Sequence, residues 1–321
     1  MTGVAVLGAG AFGTALAVVL ARKGMDVLLW ARDAGQVAMM QTGGTNRRLP
    51  GVTLPKTVSV TAEIANSAGF PIVLLALPMQ QLSAFLRQYG AILDGKALVV
   101  CAKGIDLATG SGPTELIALA CPVAVPAILT GPSFAADIAR GLPTALTLAC
   151  RNEDMGRKLQ TALSTATLRL YRSEDVTGAE LGGALKNVVA IASGIVIGAG
   201  LGESARAALM TRGYAEMSRL ALDLGARAET LAGLSGFGDL VLTCSSEQSR
   251  NFCFGKALGA GLPFDPATTV EGAATARAVA ILAARRGIEM PITTMVAAVL
   301  DGKVTISRAI EALLTRPLKQ E

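Results

Sequence analysis

Val4-Ala5-Val6-Leu7-Gly8-Ala9-Gly10-Ala11-Phe12-Gly13 sets a short apolar run directly before three glycines, and an Ala/Leu-rich segment follows as far as Arg22. The order reads as strand, tight turn, helix. Gly8, Gly10 and Gly13 form the pattern G-x-G-x-x-G. In that setting the first glycine permits the turn, the second lets a pyrophosphate approach the backbone, and the third lets helix and strand pack closely. The start of the helix adds free N–H groups and a dipole that favours anions. The chain has 36 glycines, so the spacing alone could arise by chance; the strand–turn–helix context makes it a dinucleotide-binding signature.

Similar apolar runs continue along the chain at residues 26–30, 72–77, 97–102, 123–129 and 144–150. They are short, continuously apolar and separated by helix-length segments. That is the pattern of a parallel sheet buried on both faces. The first part of the chain is therefore read as α/β, a doubly wound parallel sheet. After about residue 173 the texture changes. Residues 177–198 and 204–224 read as long helices, the first starting at Thr177 with Glu180 three residues on, the spacing of a capping box. Further helical patterns cover 255–259, 273–286 and 306–314. The expectation is a Rossmann-type dinucleotide-binding domain over 1–173, followed by an all-α substrate-binding and catalytic domain over 174–321.

Composition narrows the chemistry. The 321 residues are 51% hydrophobic and 17% charged, which excludes global disorder. There is no histidine, so Ser-His-Asp triads, Cys-His dyads and His-ligated metals are excluded. Acid–base work must fall to Lys, Tyr, Cys or a carboxylate. Cys101, Cys121, Cys150, Cys244 and Cys253 are widely spaced with no CxxC, which argues for reduced thiols in a cytoplasmic protein and against a metal site. The net charge of +5 is scattered rather than blocked, so nucleic acid is not an expected partner. Residues 1–21 carry no charge but lack a basic leader and contain four glycines; residues 187–202 are uncharged, short and Gly-rich. Neither is read as a membrane span. The sequence leaves a homodimer open.

The second strand ends in Trp30-Ala31-Arg32-Asp33. An Asp or Glu in this region favours the ribose 2′-hydroxyl of NAD, whereas an Arg accommodates the 2′-phosphate of NADP. Arg32 tips the reading to NADP, and Asp33 keeps NAD as the alternative.

Several downstream motifs join the glycine loop: Cys101-Ala-Lys-Gly-Ile105, Gly131-Pro-Ser-Phe-Ala135, Leu185-Lys-Asn-Val-Val-Ala-Ile191, Gly236-Phe-Gly-Asp239 with Leu242-Thr-Cys244, Ser249-Arg-Asn251 and Val270-Glu-Gly272. Together, and in this order, the set resembles bacterial-type NAD(P)-dependent glycerol-3-phosphate dehydrogenase over nearly the whole chain. The resemblance implies interconversion of dihydroxyacetone phosphate and sn-glycerol 3-phosphate, and a role in supplying the phospholipid backbone.

The resemblance also implies site residues. Lys186 matches the acid–base residue; it lies among apolar and small residues, where burial lowers a lysine's pKa. Lys103, just after a strand, matches a contact to both cofactor and substrate, suited to stabilising a developing alkoxide. Asp239 matches a substrate contact and is expected to pair with Lys186, or else to cap a helix. Substrate contacts map further to Gly131, Ser133, Asn187 and Thr243, and the phosphate to Ser249, Arg250 and Asn251. For Asn187 the alternative is a helix-packing hydrogen bond, and for Ser249 a helix cap. Cofactor contacts map to Gly8, Gly10, Ala11, Phe12, Gly13, Arg32, Lys103, Ala135, Arg250, Thr269 and Glu271. Ala11 stands where the family often has Ser, and Phe12 where it has Trp or Tyr. No metal is implied. Two other readings stand beside this one: a different Lys-dependent dehydrogenase of similar architecture, such as one for a β-hydroxy acid, and a non-catalytic NADP-binding sensor.

Overall fold

The computed structural model describes residues 3–315. The apolar run before the glycines is strand β1 (Gly3–Leu7), and helix α1 (Ala11–Arg22) follows the turn. β2 (Asp26–Trp30) and α2 (Ala34–Gly43) lead to a small hairpin, β3 (Thr45–Asn46) and β4 (Leu49–Thr53). Then come β5 (Val58–Thr61), β6 (Ile72–Leu75), α3 (Met79–Leu93), β7 (Ala97–Val100), α4 (Pro113–Ala120), β8 (Val125–Thr130), α5 (Ala135–Arg140), β9 (Thr144–Ala149), α6 (Glu153–Leu163) and β10 (Leu168–Ser173). The main sheet runs β10-β9-β8-β7-β6-β1-β2-β5. Its order reverses beside β1, so the crevice above the carboxyl ends of β1 and β6 is the ligand position of an open α/β sheet.

Alternate side chains of the strands serve the two faces. Val4, Val6, Val27 and Leu29 pack under α1, α2, α5 and α6. Ala5, Leu7, Leu28 and Trp30 pack under α3 and α4, and Val176 and Ala179 join them. The doubly wound reading therefore holds, with one departure. β8 and β9 are antiparallel, and β10 is parallel to β9. The link between β8 and β9 carries only the six-residue α5, and it returns the chain beside β8 in the opposite sense. The strands at 58–61 and 168–173 had no continuous apolar run to mark them.

Beyond Ser173 the described residues are helical: α7 (Val176–Gly198), α8 (Glu203–Asp223), α9 (Ala228–Ala232), α10 (Asp239–Ser245), α11 (Arg250–Gly259), α12 (Glu271–Arg286), α13 (Pro291–Leu300) and α14 (Ile306–Leu314). A π-helical turn, Leu234–Gly238, precedes α10. α7 is long and apolar enough to cross a membrane, but it is the buried centre of this layer, wrapped by α8, α10, α11, α12 and α13. Its cap is not Thr177: the Asp175 carboxylate accepts from Gly178 N at 2.8 Å, and its other oxygen from Arg227 N at 2.8 Å. Glu180 does not close a capping box; it accepts from Thr114 N at 2.8 Å, at the start of α4.

Five glycines in α7 each cost about 1 kcal/mol of helix propensity relative to Ala. Close approach is what they provide. A Cβ on Gly194 would lie 2.1 Å from Phe252 O, and one on Gly198 2.1 Å from Lys256 O. From the other side, a Cβ on Gly255 would lie 2.0 Å from Ile191 O, and one on Gly259 2.4 Å from Ile195 O. α7 and α11 thus run parallel in near backbone contact, which brings the first turn of α11 beside Lys186 and Asn187. Gly255→Ala should force the two helices apart and cost about 1–3 kcal/mol, the range for overpacking. Urea denaturation checks this; an unchanged midpoint would mean that the pair tolerates separation.

Candidate active site

The glycine turn has the geometry its sequence implies. Gly8 has φ +117, and a Cβ there would sit 2.4 Å from Ala76 O at the end of β6. A Cβ on Gly13 would sit 2.0 Å from Gly8 O. Gly10 has nothing within 4 Å of its Cβ position. It is also the N-cap of α1, with no side chain capping the helix. An uncapped helix start beside open space fits a phosphate group. Ala11 and Phe12 open α1 and are half-buried.

Two residues outside the sequence reading hold this turn. Asn46, 2% exposed, donates from Nδ2 to Ala9 O at 3.0 Å and to Thr14 Oγ1 at 2.7 Å. Gln36 Nε2 donates to the same Ala9 O at 2.8 Å and to Asn46 Oδ1 at 3.1 Å. The β3–β4 hairpin is thereby fastened to the glycine turn. Arg32 is exposed and makes no ion pair among the described residues, while the Asp33 carboxylate caps α2 by accepting from Gln36 N at 3.0 Å.

A second cluster forms where the two layers meet. Asp239, 0% exposed, bridges two lysines: Lys186 Nζ lies 2.5 Å from Oδ1 and Lys103 Nζ 2.7 Å from Oδ2. Lys186 Nζ also donates to Thr243 Oγ1 at 2.6 Å. The carboxylate opens α10 and binds lysines rather than capping the helix; its bond to Lys103 was not expected. A Cβ on Gly182 would meet Ser235 O at 2.6 Å, so the small residue in α7 admits the π-helical turn that aims Asp239. Burial pushes the Lys186 ammonium down to about 8; Asp239 acts against the shift and Lys103 with it.

Around this core stand most of the remaining residues. Gly131 (φ +133) follows β8, and its carbonyl accepts from Ser133 Oγ at 3.3 Å and from Lys103 Nζ at 3.4 Å. Asn251 Nδ2 donates to Asn187 Oδ1 at 3.0 Å, and its own Oδ1 accepts from Gly272 N at 2.9 Å. The packing bond for Asn187 is therefore real, and it draws α7, α11 and α12 together. Ser249 is the N-cap of α11, accepting from Phe252 N at 3.2 Å. That helix begins at Arg250, not at 255. Arg250 is exposed at its first position. Glu271 opens α12; burial raises its carboxyl pKa, with Arg250, Lys103 and Lys186 acting against the shift. Ala135 opens α5 beside the Gly131 loop. Thr269 is exposed, and no side-chain hydrogen bond ties it to the cluster. The five cysteines are free, and burial pushes the thiols of Cys101 and Cys244 up to about 12, so neither offers a ready nucleophile. A cleft of about 820 Å³ lies elsewhere, against β10 and α9, and Lys186 does not line it.

A glycine cradle at the sheet's switch point and two lysines, one of them buried, on a single buried carboxylate define a nicotinamide-dependent oxidoreductase whose proton donor is not histidine. Comparison with known proteins identifies the kind. Residues 3–156 match the N-terminal model of NAD-dependent glycerol-3-phosphate dehydrogenase, and residues 175–311 match the C-terminal model. The chain belongs to this family. It is similar to "Glycerol-3-phosphate dehydrogenase [NAD(P)+]" of Cereibacter sphaeroides, 65% identical over 99% of this chain and 100% of that one. The protein of the same name from Paracoccus denitrificans is 62% identical over 99% of each chain. The crystal structure of glycerol-3-phosphate dehydrogenase from Coxiella burnetii superposes with a TM-score of 0.93 at 38% identity, covering 98% of this chain and 99% of that one.

Proposed function

We propose that this chain reversibly reduces dihydroxyacetone phosphate to sn-glycerol 3-phosphate in the cytoplasm, with NADPH preferred and NADH accepted, and so supplies glycerophospholipid synthesis. The observation that carries the mechanism is the Lys103–Asp239–Lys186 bridge, at the carboxyl-end side of β7 and in the middle of α7. When bound, reduced nicotinamide supplies the hydride. The remaining work falls to the chain. Protonated Lys186 donates a proton to the carbonyl oxygen, and a pKa near 8 leaves it mostly charged at pH 7 while easing the transfer. Lys103 stabilises negative charge developing on that oxygen. Asp239 holds both ammonium groups. The amide of Asn187 orients the substrate, and the start of α11, with Ser249, Arg250 and Asn251, receives the phosphate. Gly131 and Ser133 close the opposite wall, and Ala135, Thr269 and Glu271 flank the nicotinamide.

The phosphate site separates this reading from a β-hydroxy acid dehydrogenase, and the intact lysine pair from a sensor. Absorbance of reduced nicotinamide should fall with dihydroxyacetone phosphate and much more slowly with dihydroxyacetone. Equal rates would defeat the phosphate assignment, and no turnover with either would favour the sensor. Free Arg32 and committed Asp33 support the preference for NADPH. Arg32→Ala should weaken NADPH about tenfold or more, the scale of a charge-assisted contact, and NADH little. Equal losses in a fluorescence titration would show that Arg32 does not read the 2′-phosphate.

A further inference from the structure

Lys103 stands in a segment without regular secondary structure, residues 101–112, between β7 and α4. Its backbone crosses from one layer to the other. Gly104 has φ +135, and its Cβ position lies 3.4 Å from Met79 Cγ and from Thr275 Oγ1. The next residue, Ile105, is 5% exposed and packs with Leu181, Leu185 and Leu240 of the helical layer. An irregular segment spanning two layers loses considerable backbone entropy when ordered, about 1–2 kcal/mol per residue, so its anchors matter.

Three side chains anchor it. Asp106 Oδ2 accepts from Thr109 N at 2.9 Å and Thr109 Oγ1 at 2.8 Å, bonds internal to the segment. Glu180 acts at the far end, on Thr114 N. Gln80, in the first turn of α3, acts next to Lys103: its Nε2 donates to Ile105 O at 2.8 Å, and its Oε1 accepts from Leu107 N at 3.1 Å. This two-point bridge imitates a neighbouring strand and ties the segment to the sheet layer, while Ile105 ties it to the helices.

We propose that Gln80 is a positioning residue, which acts on the reaction by holding Lys103 at Asp239. The inference rests on the proposed function. The charged groups around Lys186 are Asp239 on α10, Lys103 on this segment and Glu271 at the start of α12, with Arg250 of α11 facing Glu271. When Lys103 withdraws, Lys186 loses a cationic neighbour and keeps Asp239 to itself, which favours its charged form.

The test compares Gln80→Ala, Lys103→Met and the double variant; Gln80 is exposed, so its replacement leaves the core intact. Gln80→Ala should lower kcat/KM for dihydroxyacetone phosphate about tenfold through misplacement of a catalytic group, and should weaken NADPH much less. The alkaline limb of its pH profile should move to higher pH. The double variant should be no slower than Lys103→Met, since both changes act through one group. Additive losses, or an unmoved limb, would overturn the proposal. Hydrogen exchange gives a readout independent of turnover: the Leu107 amide should exchange faster in Gln80→Ala, and unchanged protection would also overturn it. Inactive wild-type enzyme would instead refute the functional reading, and the exchange result would still decide the role of Gln80.

Discussion

Lys186→Met should lower the turnover of dihydroxyacetone phosphate by about 100-fold or more, the scale of general acid–base catalysis, and leave NADPH binding intact. Methionine keeps much of the volume at a site only 5% exposed, so the effect is not one of a cavity. Nor does it strand a buried charge, since Asp239 keeps Lys103 at 2.7 Å. What disappears is the proton. The wild-type pH profile shows the same group from another side. Burial has lowered the pKa of Lys186 to about 8. Ketone reduction needs the charged form, so its rate should fall as pH rises through about 8. Alcohol oxidation needs the neutral form and should rise over the same range. Turnover near the wild-type rate in Lys186→Met, or a reduction rate flat from pH 7 to about 9, would remove Lys186 from the role.

Such a specific prediction is available because much of the site was legible in local sequence. The glycine spacing carries its own geometry: Gly8 and Gly13 stand where a Cβ would strike backbone, and Gly10 stands in the open. The apolar runs of the sheet are legible for the same reason, since both faces are buried. What was hidden depends on partners far along the chain. α13 has no side-chain cap of its own; Glu216 of α8, 76 residues away, accepts from Ile292 N at 2.7 Å. α4 is likewise held by Glu180, 66 residues away. The same distance problem hid Asn46 and Gln80, ordinary polar residues whose significance lies in the carbonyls they meet. It also hid the second lysine on Asp239. A carboxylate 53 residues from Lys186 and 136 from Lys103 cannot be assigned to both by spacing. β10, with Arg169, Tyr171 and Arg172 exposed, lacks the continuous apolar run that marked its neighbours.

Asp239→Asn should be as damaging to turnover as the loss of Lys186, by a different route. The substitution keeps shape and removes the charge that two ammonium groups share. An uncompensated buried charge costs about 3–5 kcal/mol, but a lysine can avoid much of that by giving up its proton. Lys186 is the more buried of the two, so its pKa should drop below 8. At neutral pH the variant then lacks its acid, and the alkaline limb should move to lower pH, opposite to the shift expected for Gln80→Ala. Stability should carry the same signature. A lysine whose folded pKa lies below its unfolded value destabilises the fold most at low pH, and the penalty fades as pH rises toward the unfolded value. Above about 8 Lys186 is neutral in both folded proteins, so this part of their difference vanishes there. Urea denaturation at pH 6.5 and 9 should therefore show a gap between wild type and Asp239→Asn that narrows with rising pH. A gap independent of pH would mean that Asp239 supports the fold through packing alone, and that the charge balance at Lys186 is set elsewhere.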